Sequence, residues 1–430
     1  MKISITVISA FILLLVYTMA VSAGQNDSDS VIEELITEAL QSNPQLKAFN
    51  ESINSLKERP AQVQSLDNPR LKMSIMNLPT DTFEFDQEPM TQKHISIMQK
   101  LPFPGKLRLK GTIAEKAINM AEEEYTDQEN MLIMQVKTAY ARILFLDLAI
   151  GITEENRKLL REFVKIAETK YEVGKGIQQD VIKAQVALSK MTDRLIPVEK
   201  QREIMVARLN TLLNRPVEAL FISDGQIQLT ELKLSFEDLK NIAEKNQSML
   251  RKKKHFIESR ETAMKLSKIS YYPDFDIGVS YGQRDDSPMQ ERADFLSASV
   301  MIKIPLWYKE KEDRKVAEDE AKVRKANAEY SAMKNEILFK IKSLASEIES
   351  HVKRVELLQS GLIPQSRLSL DSALSAYRVN KVNFLTLLNS QITLYNYELD
   401  YNRAITEHEI KLAELESVIG QRISDGWKVE

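Results

Sequence analysis

From Lys106 to about Tyr171 the chain runs roughly 66 residues without a proline, and its apolar and small residues recur at helical spacing. Leu109, Ile113, Ala117, Met120 and Ala121 open the pattern, and a dense run from Met131 to Ile150 continues it. That period predicts one long helix with a face that needs a partner. Turn signals bound it: FPGK (Phe103 to Lys106) before, and Gly174 and Gly176 of YEVGKG after. At about 1.5 Å per residue such a helix would be on the order of 100 Å long, more than one compact domain can bury.

Elsewhere the period switches to two. Leu71, Met73 and Ile75 alternate with Lys72, Ser74 and Met76, and Ile95 and Ile97 with His94, Ser96 and Met98. Later, Phe275, Ile277, Val279 and Tyr281 alternate with Asp276, Gly278 and Ser280, and Leu296, Ala298, Val300 and Ile302 with Ser297, Ser299, Met301 and Lys303. Strands are predicted at about 70–77, 92–99, 274–281 and 294–303. One apolar and one polar face suits lipid or a core on one side and water on the other. Two hairpins packed on a soluble core is the other reading of the same pattern. In lipid, four strands cannot close a barrel, since about eight is the smallest seen. Two copies would give eight strands and a filled interior; three would give twelve and room for water.

Laid on itself at a shift of about 203 to 206 residues, the chain matches repeatedly. Asn43 falls near Asn246, Pro69 meets Pro273, and Pro102 meets Pro305. Glu124, Tyr125 and Asn130 meet Glu329, Tyr330 and Asn335; Tyr171, Val173 and Lys175 meet Tyr377, Val379 and Lys381. The ordered series argues for duplication. Each half reads as helix, two strands, long helix, turn, helix. In the first half the helices are about Ser30–Pro60, Lys106–Tyr171 and Ile177–Asn214; in the second, about Phe236–Ser270, Tyr308–Tyr377 and Asn383–Ile419. The repeats are bounded at 24–214 and 236–419, with a joining segment at 215–235 and a tail at 420–430. Pro197 and Pro364 fall inside predicted helices and are expected to kink them, because the periodicity resumes beyond each. The fold class is mostly α with a small antiparallel β portion.

Composition narrows the function. The 430 residues are 43% hydrophobic and 28% charged, with 12 glycines and 13 prolines, a balance that favours long helices. A formal charge of -3 gives no electrostatic case for nucleic acid. The absence of cysteine excludes disulfides, thiol catalysis and thiolate metal sites. Lys2, the apolar run Ile3 to Val16 and the small residues ending in Ala23 read as a secretory leader at 1–23, which implies export. The later apolar run from Met131 to Ile150 is interrupted by Lys137, Arg142 and Asp147, so it is not expected to span a bilayer.

No catalytic constellation is legible. His94, His255, His351 and His408 are scattered, HEIKLAE at His408 lacks the second histidine of a zincin helix, and no glycine-rich phosphate loop occurs. The chain reads as no enzyme, with no cofactor and no metal centre. Met73, Met76, Met90, His94 and Met98 gather near the first hairpin and could be soft-metal ligands, although packed or lipid-facing methionines are the commoner case.

Two turn motifs carry a resemblance. They are YEVGKGIQQDVIKAQVAL from Tyr171 and IPQSRLSLDSALSAYRVNKVNFLTLLNSQITLYNYE from Ile363, followed by Ala413, Leu415, Glu416 and Gly420. With them the chain resembles the TolC family of outer-membrane efflux channels, and Asn77 to Leu107 is similar to the CzcC-like heavy-metal branch. The resemblance implies a homotrimer with a twelve-stranded outer-membrane β-barrel continued by an α-helical barrel into the periplasm. It would be the passive exit duct of a tripartite efflux system. Its partners would be outer-membrane lipid, a periplasmic adaptor (a membrane fusion protein) and an inner-membrane transporter. By motif position, Val173, Gly174, Lys175, Val379, Asn380 and Lys381 would form the adaptor-facing tip. Asp180 and Tyr377 would sit at the pore aperture, with Val382, Thr386 and Asn389 where relatives carry charged residues. Asn380 replaces the usual glycine, and asparagine tolerates positive φ. The competing reading is a periplasmic coiled-coil adaptor or scaffold, which would need a glycine-rich β-domain flanking one hairpin.

Overall fold

Asn43 and Pro44 divide what the periodicity reads as one opening helix. Pro44 has no N–H to give an i→i−4 bond, while the Asn43 side-chain oxygen accepts from the backbone of Gln45 at 2.9 Å. The result is three pieces: α1 (Asp27–Ser42), α2 (Pro44–Lys57) and α3 (Arg59–Gln64). Pro60 does not end the helical region but sits in the first turn of α3, where a missing N–H costs little. The computed structural model describes residues 27–223 and 227–423, so the expected leader at 1–23 and most of the tail at 420–430 lie outside the described residues.

The remaining elements are β1 (Arg70–Met76), β2 (Gln92–Leu101), α4 (Lys106–Glu172), α5 (Gln178–Leu212), α6 (Phe236–Asn246), α7 (Ser248–Ile269), β3 (Phe275–Gln283), β4 (Phe295–Ile302), α8 (Glu312–Leu357), α9 (Ile363–Arg378) and α10 (Phe384–Ile419). The helix expected over Phe236–Ser270 breaks at Gln247, whose backbone is extended (φ -68, ψ 114). This break falls at the repeat's counterpart of Asn43, without a proline to announce it. The helix expected from Tyr308 starts at Glu312 instead. Trp307 to Lys311 forms a turn, and Glu312 and Asp313 then place acids at the helix start, where the dipole favours them.

Pro197 stays inside α5. Pro364 lies in the first turn of α9, directly after a π turn at Leu358–Leu362 whose flanking residues keep helical dihedrals. That π turn has a counterpart in the repeat arithmetic. Asn130 meets Asn335 at an offset of 205, but Tyr171 meets Tyr377 at 206, so the second copy gains one residue between those points. A π turn accommodates one extra residue within a helix, and Leu358–Leu362 is where the second copy holds it.

The chain divides into two compact units, one of residues up to 47 with 126–247 and from 335 onward, the other of 48–125 with 248–334. The second unit holds the sheet, antiparallel throughout in the order β1-β2-β3-β4. Its helices are tied by charge: the basic run on α7 meets acids on α4 and α8, with Arg251–Glu123 at 2.8 Å, Lys252–Glu124 at 2.9 Å and Lys253–Glu329 at 2.8 Å. Such half-buried pairs, still open to water, each contribute about 1 kcal/mol, so the row sets helix register more than it stabilises.

The first unit is helical. Near its turns Leu160, Phe163, Ala184, Ala187, Leu370, Ala373, Phe384 and Leu387 are buried in one cluster drawn from α4, α5, α9 and α10. The alanines let the helices approach while the large residues fill the space between them. Farther along, each helix break packs on the end of another helix. The Asn43 amide donates to Leu212 O at 3.0 Å, where α5 ends, and the Asn246 amide donates to the Gln421 side chain at 2.7 Å, just past α10. Gly420 (φ 72) closes α10, and a Cβ there would lie 2.6 Å from Asn246 O. The joining segment is pinned as well: Glu409 accepts from Thr230 N at 2.7 Å and from Thr230 Oγ1 at 2.9 Å.

Candidate functional site

The sheet separates its residues by face. Leu71 opposes Ile97, Ile97 opposes Val279, and Val279 opposes Ala298; one step along, Met73, Ile95, Tyr281 and Leu296 form the next row. The opposite face carries Lys72, Ser96, Ser280 and Ser297 in direct register. The apolar face is uncovered: Leu71 is 61% exposed, Leu296 78% and Val300 65%. Among the described residues nothing pairs with the outer edges of β1 and β4. A soluble sheet buries its apolar face and blunts its edges; this one does neither.

The register also separates the proposed soft-metal ligands. Met73 lies on the apolar face, whereas Met76, His94 and Met98 share the polar one, with His94 opposite Ser74 and Met98 opposite Arg70. Met90 precedes β2, its carbonyl accepting from the Asn77 amide at 3.1 Å. The first hairpin therefore divides these side chains between its two faces, and among the described residues no group of three His, Cys, Asp or Glu is placed to hold a metal.

In the helical unit the two repeated turns share one backbone plan. Gly174 N donates to Tyr171 O at 3.0 Å and Lys175 N to Lys170 O at 2.8 Å; Asn380 N donates to Tyr377 O at 3.1 Å and Lys381 N to Ala376 O at 2.9 Å. This is the pair of bonds that closes a helix through a left-handed residue. Gly174 takes φ 71 and Asn380 takes φ 62, so asparagine performs the glycine's conformational task. Val173 (60% exposed) and Val379 (64% exposed) stand out from the two turns, and Lys175 and Lys381 are exposed beside them. Asn383 caps α10 by accepting from Thr386 N at 2.9 Å, whereas Ile177 gives α5 no side-chain cap and Asp180 supplies the acid of its first turn.

The two turns are joined through Tyr377, which is buried. Its hydroxyl donates to Asp180 at 3.3 Å, its ring meets the Phe384 ring edge-on at 5.5 Å, and the Lys170 ammonium lies 4.2 Å from its ring centroid. Lys170 also donates to the Tyr377 carbonyl oxygen. Burial, then the Asp180 charge and hydrogen bond, push the Tyr377 phenol up to about 12. Burial holds Lys170 below the usual lysine value, against the pull of Asp180 and with help from Lys175. Thr386 and Asn389 stand apart from this group, in a groove of about 260 Å³ lined with Ser366, Ser369, Ser390 and Thr393. Lys170 and Phe384 were not legible as site residues, because their role depends on contacts across the repeat.

Two histidines spaced far apart in sequence are neighbours. His351 is held below the usual histidine value by burial, then by nearby His408, with Glu407 opposing.

Residues 35–215 match the family model of the outer membrane efflux protein. That match covers less than half of the chain. The fold agrees. The outer-membrane channel OprN superposes with a TM-score of 0.78 at 16% identity, over 90% of this chain and 89% of that one. CusC, a transmembrane channel, gives 0.77 at 14% identity over 91% and 92%, and the outer membrane protein VceC of Vibrio cholerae gives 0.77 at 16% over 92% and 97%. Among curated proteins none matches the chain in sequence. No helix among the described residues is long and apolar enough to cross a membrane.

Proposed function

We propose that three copies pool their sheets into a twelve-stranded barrel and their helices into a periplasmic tunnel, forming a passive exit duct. The observation that carries this is the two-faced sheet with both outer edges unpaired. Unpaired N–H and C=O groups at a strand edge are not tolerated in hydrocarbon, so β4 of one copy must pair with β1 of the next until the ring closes. Exposed apolar residues on the helices, including Ile182, Val186, Leu368 and Leu385, are suited to contacts between copies. A soluble periplasmic scaffold would have no use for the uncovered apolar face. The duct does no chemistry, and its cargo is driven by a pump.

In this reading the two turns form the periplasmic tip, and Val173, Gly174, Lys175, Val379, Asn380 and Lys381 meet a periplasmic adaptor that also binds an inner-membrane transporter. The Asp180–Tyr377–Lys170 group latches the two helical hairpins of one copy in the closed duct, and opening moves them apart under adaptor contact. Thr386 and Asn389 line the aperture with hydroxyl and amide groups. The similarity of Asn77–Leu107 to heavy-metal exporters supports metal ions as cargo, which would pass through without a resident metal site. The test is purification from outer membranes followed by planar-bilayer recording. The expected result is a heat-modifiable trimer that conducts ions; a monodisperse single subunit that passes none would overturn the duct.

A further inference from the structure

Where β4 ends, the chain builds a cavity that the duct does not need. Ile302 makes the last apolar-face pair, with Phe275, and Lys303 N adds one more bond, to Asp274 O at 3.2 Å. Beyond it lies a cavity of about 690 Å³ between the β4–α8 connection and the end of α7. Ile304, Leu306 and Trp307 line it and are 67%, 69% and 74% exposed, a rim of large apolar groups outside any core. Lys303, Lys311 and Arg314 line it too, and among the described residues none of the three has an acidic partner within ion-pair distance. The other cations there are engaged: Lys106 with Asp274 at 2.7 Å and Lys315 with Glu318 at 3.0 Å. Glu310 and Glu312 complete the charged lining.

We propose that this cavity binds the head group of an amine-bearing membrane phospholipid. The proposal rests on the reading of the sheet as part of a membrane barrel, because only then does the end of β4 lie at head-group depth. There, amphipathic aromatic rings and cations are at home: the ring meets the boundary of the acyl chains and the cations meet phosphate. Lys303, Lys311 and Arg314 take the phosphate, and Ile304, Leu306 and Trp307 lie along the glycerol and upper acyl chains. Glu310 and Glu312 receive the ammonium, which is why a lining of mixed sign fits this lipid class better than a purely anionic one. The Phe103 and Tyr272 rings, stacked at 4.5 Å, belong to the same aromatic band.

The test uses purified full-length protein in detergent, titrated with short-chain phosphatidylethanolamine and, separately, with phosphatidylglycerol and inorganic phosphate, with bound lipid counted by native mass spectrometry. The expected result is saturable phosphatidylethanolamine retention, at least threefold above phosphatidylglycerol. It should fall at least fivefold in the K303Q/K311Q/R314Q triple variant and in Trp307→Ala. Equal retention by wild type and both variants overturns the site. So does phosphatidylglycerol binding as strongly as phosphatidylethanolamine, or phosphate binding that Trp307→Ala leaves untouched while lipid is not retained. Bilayer conductance of the same preparations separates the two readings: lipid loss with normal conductance in the variants supports the site and leaves the duct intact, whereas lipid retention by a wild type that never conducts sinks the duct alone.

Discussion

The Tyr377 hydroxyl donates a 3.3 Å hydrogen bond to the Asp180 carboxylate, tying the last helical turn before one bend to the first turn after the other. Tyr377→Phe removes that bond while keeping the ring against Phe384 and under the Lys170 ammonium. The expected stability loss is about 1.5–3 kcal/mol, the usual net value of a hydrogen bond to a charged partner. Single-channel recording should show longer or larger openings than in wild type. Unchanged gating would remove the latch.

The same link has a defined pH behaviour. Tyr377 titrates at about 12 in the folded chain, above the usual tyrosine value near 10. The folded state therefore holds this proton more tightly than the unfolded state, and the associated stability is complete below about pH 10 and lost as pH rises toward 12. Lys170 acts oppositely, since its lowered value means that burial opposes the charged form, so its contribution improves as pH rises through the region just below the ordinary lysine value. Tyrosinate absorbance during alkaline titration should contain a late component that Tyr377→Phe reduces, leaving the share of Tyr271, which its hydrogen bond to Asp313 also pushes up to about 12.

Asn380 sits at φ 62, where a β-branched side chain is strained. Asn380→Gly should leave the melting temperature near wild type. Asn380→Val should cost about 1–2 kcal/mol and weaken adaptor capture, because the left-handed conformation penalises a bulky Cβ. Equal melting temperatures for the two variants would mean that the turn refolds around the substitution.

Val279 and Ser280 are adjacent on β3 and face opposite sides of the sheet. Val279→Lys should deplete the heat-modifiable oligomer from outer membranes, with a penalty of about 2–4 kcal/mol if the residue lies near mid-bilayer, while Ser280→Lys should assemble normally. The reverse pattern would invert the assignment of lipid and lumen faces.

Asn43 should be costly to truncate. Its side chain accepts from Gln45 N and donates to Leu212 O, and the residue is buried, so Asn43→Ala leaves a carbonyl at the end of α5 without this donor. About 1–3 kcal/mol is expected, read from denaturant unfolding in detergent.

The sequence carried the parts of this molecule that depend on local periodicity. Alternation along single strands placed Leu71 and Ile97 on one face and Ser96 and Ser280 on the other, because strand geometry has a fixed period and the pairing preserves it. The repeated turns were visible because Gly174 and Asn380 are residue types that tolerate positive φ. Features that depend on distant partners were not visible. Nothing local marks Gln247 as a break, since its backbone is extended without a proline. Met73 is close in sequence to Met76, yet the strand sends it to the face opposite Met76, His94 and Met98. Lys170 and the pairing of Arg251 with Glu123 became apparent only once the helices were placed side by side.

The π turn at Leu358–Leu362 makes the two copies of the repeat inequivalent. An extra residue in an unbroken α-helix would rotate everything beyond it by about 100°; the wider π turn absorbs that rotation locally, so α9 keeps nearly the phase of its counterpart. Tyr171 and Tyr377 therefore reach their level along helices of different winding, and a chain built from near-duplicates keeps a local difference between its two arms. Deleting one residue from Leu358–Leu362 would restore a plain α-helix there and leave the two arms wound alike.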